Sequence, residues 1–307
     1  MPIALVVHGG AWPIPDDQVA PHQQGCQVAL ASGWSVLEAG GTALDACEAA
    51  VRYLEDDPTF NAGTGSVLNA EGDVELDAAI MDGQTLAYGA VVNLHRIRNP
   101  ISLARSVLVG PATMLASDGA ERFAIAQNIP LCDNKDLVVE RERLLWQQWK
   151  ANCNASLLDL KQTSPARSSP QSAGHDTVGA IALDVHGSLI AANSTGGTPF
   201  KLPGRVGDTP LVGCGLYADV LVGACVCTGW GEAITQMALS RRAVELLEHR
   251  ISPQLAAEHM VKALGRRVGG IGGCIVLSAD GRVGLAWNTP RMAYAYRVEG
   301  RPTAWGV

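Results

Sequence analysis

The chain has 307 residues, a formal net charge of −7 at pH 7, a hydrophobic content of 47% and 34 glycines. This composition is typical of a compact globular protein with many tight turns, and it excludes a disordered or fibrous chain. The acidic balance and the lack of a clustered basic surface argue against a nucleic-acid-binding protein.

The N-terminal segment lacks the features of a secretion signal, because residues 1–7 (MPIALVV) carry no basic side chain and His8 ends the apolar run. No stretch approaches the ~20 apolar residues that a membrane span requires. The eight cysteines are scattered, without CxxC pairs or histidines at zinc spacing. Cys225 and Cys227, two apart in a strand-like run, are interpreted as small core residues. We therefore expect a reduced, cytoplasmic, unanchored protein.

A clear helical pattern begins at residue 43. Thr42 can cap the segment 43–56 (ALDACEAAVRYLED), with Asp45 in the capping-box position. Its apolar residues recur at helical spacing, at Leu44, Cys47, Val51 and Leu54. Further helices are predicted over 101–109, the run through Phe123 and Ile125, and 232–250.

Three segments have the pattern of antiparallel hairpins, because a pair ending in glycine separates alternating apolar runs. They are 66–80 with a turn at Glu71–Gly72, 180–192 with a turn at His186–Gly187, and 274–287 with a turn at Asp280–Gly281. Hairpins segregated from helices predict an α+β layered fold. Each side of residue 177 holds too few strands to close a core alone, so we predict one structural domain over 1–307.

The junction between Asp176 and Thr177 is the most unusual feature of the chain. A polar, Pro/Ser-rich tract at 162–174 runs directly into GHDTVGA at 174–180, which opens a strand-like segment. Cleavage before Thr177 would free an α-amine, and its ordinary pKa of about 7.7–8.0 suits a base that activates the threonine hydroxyl. The uncut chain is then predicted to be inactive, since an amide nitrogen accepts no proton. An ordinary strand-opening threonine is the alternative.

Two further blocks follow, STGGTPFKLPGRVGD at 194–208 and TGWGE at 228–232. Arg205 and Asp208 complement the head group of an α-amino acid, because an arginine fork pairs with a carboxylate and an aspartate pairs with an ammonium. A loop ion pair is the alternative. The Thr228 hydroxyl and the Gly229 N–H can donate to an oxyanion at a point where a strand gives way to a helix.

These blocks, in this order, resemble the plant-type L-asparaginase/isoaspartyl peptidase family of N-terminal nucleophile hydrolases. The resemblance extends from HGGA at 8–11, which the family places near the cleavage site, to the hairpin at 272–287. It implies a four-layer αββα sandwich, self-catalysed cleavage into 1–176 and 177–307, and hydrolysis of L-asparagine and of β-aspartyl (isoaspartyl) dipeptides. It also implies a homodimer of cleaved protomers, with no catalytic cofactor and no nucleic-acid or membrane partner.

The resemblance assigns roles to individual residues. Thr177 is the nucleophile, Thr195 orients its hydroxyl, and Thr228 with Gly229 forms the oxyanion hole. The residues implied in substrate binding are Arg205, Asp208, Gly229, Asn61 and Gly231. A structural sodium ion is expected in the loop within 54–69, held by the backbone carbonyls of Leu54, Glu55, Asp57, Phe60, Ala62 and Thr64.

Two positions depart from the family pattern. Asp176 stands where many members have glycine, and HDT at 175–177 resembles the glycosylasparaginases. A glycosylasparaginase is therefore one alternative, disfavoured by Glu232 and by the lack of a secretion signal, and an uncleaved amino-acid-binding protein is another. Trp230 is expected to line the leaving-group side of the pocket and to favour a β-linked hydrophobic residue over ammonia. An indole packed in the core is the alternative.

Overall fold

The computed structural model describes residues 2–152 and 177–307, so the tract 162–174 and the Asp176 side of the predicted cleavage site lie outside the described residues. The described helices are α1 (Asp16–Glu38), α2 (Ala43–Asp56), α3 (Pro100–Leu108), α4 (Ser117–Ala126), α5 (Glu140–Asn152), α6 (Gly231–Met237), α7 (Leu239–Glu248) and α8 (Pro253–Val268). Within these ranges, no helix combines the length and apolar character needed to cross a bilayer.

The strands form two sheets. They are β1 (Ala4–Trp12), β2 (Leu76–Asp82), β3 (Tyr88–Leu94), β4 (Met114–Ala116), β5 (Val178–Leu183), β6 (Leu189–Thr195), β7 (Leu216–Asp219), β8 (Gly223–Gly229), β9 (Gly272–Ser278), β10 (Val283–Trp287), β11 (Arg291–Val298) and β12 (Ala304–Gly306). The first sheet has the order β12-β11-β1-β5-β6-β2-β3-β4, and the second has the order β10-β9-β8-β7. Strands from both sides of residue 177 alternate in the first sheet, so neither side builds it alone.

Alternation along each strand explains how both faces of the first sheet are covered. In β1, Leu5 and Val7 join a buried cluster with residues of α1, α2 and α3, whereas Ala4 and Val6 join a cluster that includes β8 and β9. A third cluster lies between the second sheet and α6–α8. Helices and antiparallel strands therefore pack in separate layers, which confirms the α+β prediction.

Several predicted elements are confirmed. The helix α2 begins after Thr42, whose hydroxyl oxygen accepts the Asp45 N–H at 3.1 Å. The helices predicted at 101–109 and around Phe123 correspond to α3 and α4. The hairpins predicted at 180–192 and 274–287 are β5–β6 and β9–β10.

The hairpin predicted over 66–80 is wrong. The turn exists, but the Asn69 side chain accepts the amide N–H groups of residues 71, 72 and 73, each at 2.9–3.0 Å. Residues before the turn bond elsewhere: Val67 N–H donates to Asn61 Oδ1, and Leu68 accepts from Phe200. Because its expected partner strand is committed to these loops, β2 pairs with β3 and β6 instead.

The single helix predicted over 232–250 is also wrong. The helix is interrupted at Ala238, which has a left-handed φ of 45°. The amides of Ser240 and Arg241, at the start of α7, donate to the carbonyls of Cys214 and Gly213. Hydrogen bonds from a neighbouring loop therefore replace those of a continuous helix at this point.

Candidate active site

Thr177 lies immediately before β5 and is 6% exposed. Its Oγ1 donates to Thr195 Oγ1 at 3.2 Å, and its backbone nitrogen lies 3.3 Å from Thr228 Oγ1. Thr195 ends β6 in the first sheet, and Thr228 lies near the end of β8 in the second. The hydroxyl and the nitrogen of Thr177 thus each contact a different threonine, one from each sheet.

Strand register and a close approach of the two sheets create this arrangement. The pairing of Val178 with Ser194 places Thr177 beside Thr195. A β-carbon at Gly179 would lie 2.6 Å from Val226 Cγ1 of β8, so the glycine lets the second sheet come close to the first. Thr228, two residues beyond Val226, is fully buried at this junction.

Gly229 adopts a φ of 134°, which is strained for any residue with a side chain. A β-carbon there would clash with Gly272, the residue that pairs with Gly229 across β8 and β9. The Trp230 N–H that follows donates to the Ile271 carbonyl at 2.8 Å. This backbone fixes the peptide after Thr228 where the strand ends and α6 begins.

Arg205 and Asp208 lie together in the loop after β6. The Arg205 Nε and Nη2 atoms donate to the two carboxylate oxygens of Glu232, each at 2.8 Å. Burial raises the pKa of Asp208 to about 7, against the opposing effect of the Arg205 charge. A β-carbon at Gly231 would lie 2.8 Å from Asp208 Oδ1 and 2.9 Å from Arg205 Nη2, so the glycine leaves the space next to both groups open.

These side chains meet in one narrow cleft. The predicted site residues that line it are Thr177, Thr195, Arg205, Asp208, Gly229 and Gly231. The residues that sequence reasoning did not single out are Gly197, Thr198, Gly207 and Thr209. All four lie within or directly after the 194–208 block, so the position of the block in the sequence already indicates that they lie near the site.

Asn61, predicted to bind substrate, is placed behind the cleft wall. The Asn61 Nδ2 donates to the Gly197 carbonyl at 2.7 Å, and the Asn61 backbone carbonyl accepts the Gly196 N–H at 2.9 Å. It is 5% exposed and is not among the lining residues. In this structure, Asn61 therefore supports the two glycines that follow Thr195.

The HGGA motif lies next to the nucleophile position, since β1 pairs Gly9 with Val178 and His8 with Gly179. His8 is fully buried, and burial lowers its pKa to about 3, an effect that the nearby backbone of Thr177 partly offsets. The imidazole is consequently neutral near pH 7. The family resemblance predicts that the motif lies near Thr177, but the sequence pattern does not distinguish His8 within it.

Trp230 packs against the protein core and does not line the cleft, which agrees with the second of the two expectations for this residue. Its side chain contacts the cluster between the second sheet and α6–α8, and its Nε1 is buried without a hydrogen-bond partner. The indole is not among the residues that line the cleft. The preference for hydrophobic leaving groups, which depended on Trp230 in the pocket, receives no support from this position.

The predicted sodium loop has closely spaced carbonyl oxygens. A β-carbon at Gly63 would lie 2.5 Å from the Glu55 carbonyl oxygen, and one at Gly65 would lie 2.6 Å from the Pro58 carbonyl oxygen and 2.9 Å from that of Phe60. Burial raises the pKa of the Glu55 carboxyl to about 8, and its Oε2 has no hydrogen-bond partner. Hard oxygen donors of this kind fit a monovalent cation. Among the described residues, no group of three or more His, Cys, Asp or Glu side chains could hold a metal.

The chain matches proteins of known family along its whole length. A family model described as asparaginase matches residues 1–306. An isoaspartyl peptidase/L-asparaginase from Xenopus laevis is 43% identical over 95% of this chain and 91% of its own length. The protein of the same name from Bos taurus is 42% identical, covering 98% and 94%, and a plant-type L-asparaginase from Pyrococcus abyssi is 39% identical, covering 97% of both. The matches confirm the resemblance that the sequence motifs indicate.

Proposed function

The chain belongs to the asparaginase family, and on that premise we propose that it is a self-processing hydrolase of β-aspartyl amides. Its substrates would be L-asparagine and β-aspartyl dipeptides, in keeping with the names of the relatives from Xenopus laevis and Bos taurus. The observation that carries the proposal is the contact of Thr177 with both Thr195 and Thr228 in a cleft that also contains Arg205 and Asp208.

Activation would begin with cleavage of the bond before Thr177. The Thr177 hydroxyl oxygen attacks the carbonyl carbon of Asp176, and the C–N bond breaks as the acyl group moves from nitrogen to oxygen. Water then hydrolyses the ester, which leaves a carboxylate on Asp176 and a free α-amine on Thr177. The nitrogen that now lies 3.3 Å from Thr228 Oγ1 becomes the base of the mature enzyme.

Hydrolysis would use the same hydroxyl a second time. The α-amine takes the hydroxyl proton while Oγ1 attacks the side-chain carbonyl of the aspartyl group, and Thr195, 3.2 Å away, orients the hydroxyl. The Thr228 hydroxyl and the Gly229 N–H stabilise the oxyanion. The leaving amine departs with the proton, and water releases aspartate from the acyl-enzyme.

Arg205 and Asp208 would select the aspartyl head group. Glu232 accepts from Nε and Nη2 of Arg205, whereas Nη1 lies beside Gly197 and Gly207 at the cleft. A substrate α-carboxylate can therefore approach Nη1 while the α-ammonium pairs with Asp208. An α-linked aspartyl peptide has its α-carboxyl in the peptide bond, so it lacks the group that Arg205 recognises.

The test is hydrolysis by the cleaved protein of β-aspartyl-leucine, L-asparagine, an N-glycosylated asparagine and the α-aspartyl-leucine isomer, measured as aspartate release. We expect turnover of the first two and at least ~10²-fold lower kcat/KM for the α-linked isomer, because a site built around a polar group rejects a ligand without it. Equal rates for the two isomers would contradict the proposal. Turnover of the glycosylated substrate alone would indicate a glycosylasparaginase, and aspartate binding without turnover would indicate a non-catalytic homologue.

The pKa of about 7 at Asp208 predicts a pH dependence of substrate capture. As pH falls through about 7, the carboxyl becomes protonated and no longer pairs with the substrate ammonium, so kcat/KM for β-aspartyl-leucine should fall. The Thr177 α-amine, with an ordinary pKa of about 7.7–8.0, adds a second loss in the same direction. Profiles from about pH 5.5 to 9 should lose the Asp208 component in Asp208→Asn and keep that of the amine. Identical profile shapes would contradict this assignment.

We further infer that the fold is the four-layer αββα sandwich of the family. This inference is supported by the three buried clusters, one between α1–α3 and the first sheet, one between the sheets, and one between the second sheet and α6–α8. Cleavage before Thr177 would then produce two fragments, 1–176 and 177–307, that remain interleaved through the first sheet.

A sodium ion in the loop after α2 would be structural. The carbonyls of Leu54, Glu55, Asp57, Phe60, Ala62 and Thr64 are the proposed ligands, and of these the Glu55 carbonyl lies next to Gly63. When bound, the ion supplies positive charge next to converging carbonyl dipoles. Asn61 in the same loop holds Gly196 and Gly197, so a fixed loop would also fix one wall of the cleft.

A further inference from the structure

A buried ion pair lies beneath the candidate active site, formed by Glu75 and Lys201. The Lys201 Nζ is 3.6 Å from Glu75 Oε2 and donates to the Glu75 backbone carbonyl at 3.0 Å. The two side chains are only 1–2% exposed. Burial lowers the pKa of Lys201, and the nearby Asp77 and Glu75 carboxylates oppose that shift.

Glu75 contacts the loop that connects β6 with Arg205 at two separate points. Its Oε1 accepts the Gly204 N–H at 2.9 Å, one residue before Arg205. Its ion-pair partner Lys201 packs against Gly197 at the other end, where a β-carbon would lie 2.9 Å from Nζ. The Glu75 carboxylate therefore holds the loop at Lys201 and at Gly204, and Lys201 in turn lies next to Gly197, two residues after Thr195.

The anchor itself is fixed to the first sheet. Glu75 directly precedes β2, and Asp77, two residues on, pairs with Thr195 across β2 and β6. A side chain that starts at this strand thus reaches over to the loop that leaves the neighbouring strand. Glu75 therefore connects strand β2, in which Asp77 pairs with Thr195, to Gly204, the residue before Arg205.

Stability alone does not account for such a pair. Removing two charges from water is costly, and buried ion pairs are often no more stabilising than apolar residues of the same volume. We propose that Glu75 and Lys201 are positioning residues that hold Arg205 at the right distance from Thr177 for a β-aspartyl substrate. This inference rests on the proposed function for its substrate. Neither Glu75 nor Lys201 has a role assigned by the family resemblance.

The test compares Glu75→Gln, Lys201→Met and the double variant with wild type in the cleaved state. The glutamine keeps an acceptor for Gly204 but removes the charge next to Lys201. We expect KM for β-aspartyl-leucine to rise ~10-fold or more and kcat to change less than ~3-fold, because small displacements of a binding group are costly. Self-cleavage, measured by intact mass, should proceed as in wild type, since Arg205 does not hold the scissile bond.

The double variant distinguishes positioning from folding. It removes both members of the pair, so it should fold, and its KM should be no higher than that of the worse single variant because the two residues act as one unit. The matched control is Glu48→Gln, which breaks the ion pair between Glu48 of α2 and Arg105 of α3. This control should leave KM unchanged.

An unchanged KM in folded Glu75→Gln and in the double variant would overturn the proposal, as would an equal rise in Glu48→Gln. Binding of L-aspartate, measured by titration calorimetry, provides a readout that does not depend on turnover. If wild type binds aspartate without hydrolysing the dipeptide, the proposed function fails, and the loss of aspartate affinity in Glu75→Gln still tests the positioning role.

Discussion

Replacing Thr177 by alanine is expected to yield one uncut chain with no measurable hydrolysis of β-aspartyl-leucine. The hydroxyl is the proposed nucleophile of both steps, so its removal blocks the cleavage that frees the α-amine and also the attack on substrate. Loss of a nucleophile with its base costs at least ~10³-fold in rate. Denaturing electrophoresis and intact mass should show fragments 1–176 and 177–307 for wild type and a single chain for the variant.

Thr177→Ser is the matched control, because serine keeps the hydroxyl 3.2 Å from Thr195 Oγ1 and removes only a methyl group. It should cleave itself and retain activity. A wild-type chain that stays intact with full activity would refute the mechanism, as would a Thr177→Ala chain that cleaves at the same bond. Thr177 is buried at the start of β5, so a substitution there can lower stability. The thermal unfolding of each variant should therefore be measured beside its activity.

The sequence located the candidate site because its chemistry is concentrated in short blocks. Thr177, the 194–208 block and the 228–232 block each sit where a strand begins or ends, and the ends of neighbouring strands lie close in space. Six of the residues expected there line one cleft. The placement of Asn61 behind the wall was not predictable, since a loop residue gives no sign of which side of a turn it faces.

Contacts between elements that are distant in the chain could not be predicted either, because the local sequence pattern does not show which way a side chain points. Nothing in the pattern indicates that Glu232 pairs with Arg205, or that Glu75 reaches Gly204 from another strand. The sequence contains one indication of such a contact, namely two charged residues, Glu75 and Asp77, at the start of a strand that is otherwise largely apolar and buried. Their burial becomes visible only once the β6 loop folds over them.

The errors in secondary structure have a common physical cause. Local pattern predicts a hairpin at 66–80 and one helix at 232–250, and in both places backbone amides donate to acceptors other than those of the predicted element. Asn69 and Asn61 capture the first segment, and the carbonyls before β7 capture the amides after Ala238. At 180–192 the Asp184 side chain also accepts turn amides, but the residues on either side of the turn pair with each other from Val178–Ser194 to Leu183–Leu189, so the predicted hairpin forms.

Arg205→Ala should lower kcat/KM for β-aspartyl-leucine by ~10²-fold or more, mainly through KM, while self-cleavage continues. The estimate follows from losing a charge-assisted hydrogen bond of ~3 kcal/mol. The Arg205 charge also lowers the pKa of Asp208, which burial raises to about 7. Its removal should therefore raise that pKa further and weaken the ammonium site near neutral pH as well.

Two variants separate substrate recognition from a general loss of charge or stability. Arg98→Ala removes an exposed arginine that pairs with Asp56 at 3.1 Å, and it should leave kcat/KM unchanged because exposed pairs contribute little. Arg205→Lys keeps the charge but not the planar fork, so it should fall between wild type and alanine. Glu232 is 43% exposed in its side chain, so the loss of Arg205 leaves it in contact with water and should not unfold the chain. If Arg205→Ala folds, cleaves itself and retains wild-type kcat/KM, the pairing of Arg205 with Glu232 is a loop ion pair and the substrate carboxylate binds elsewhere.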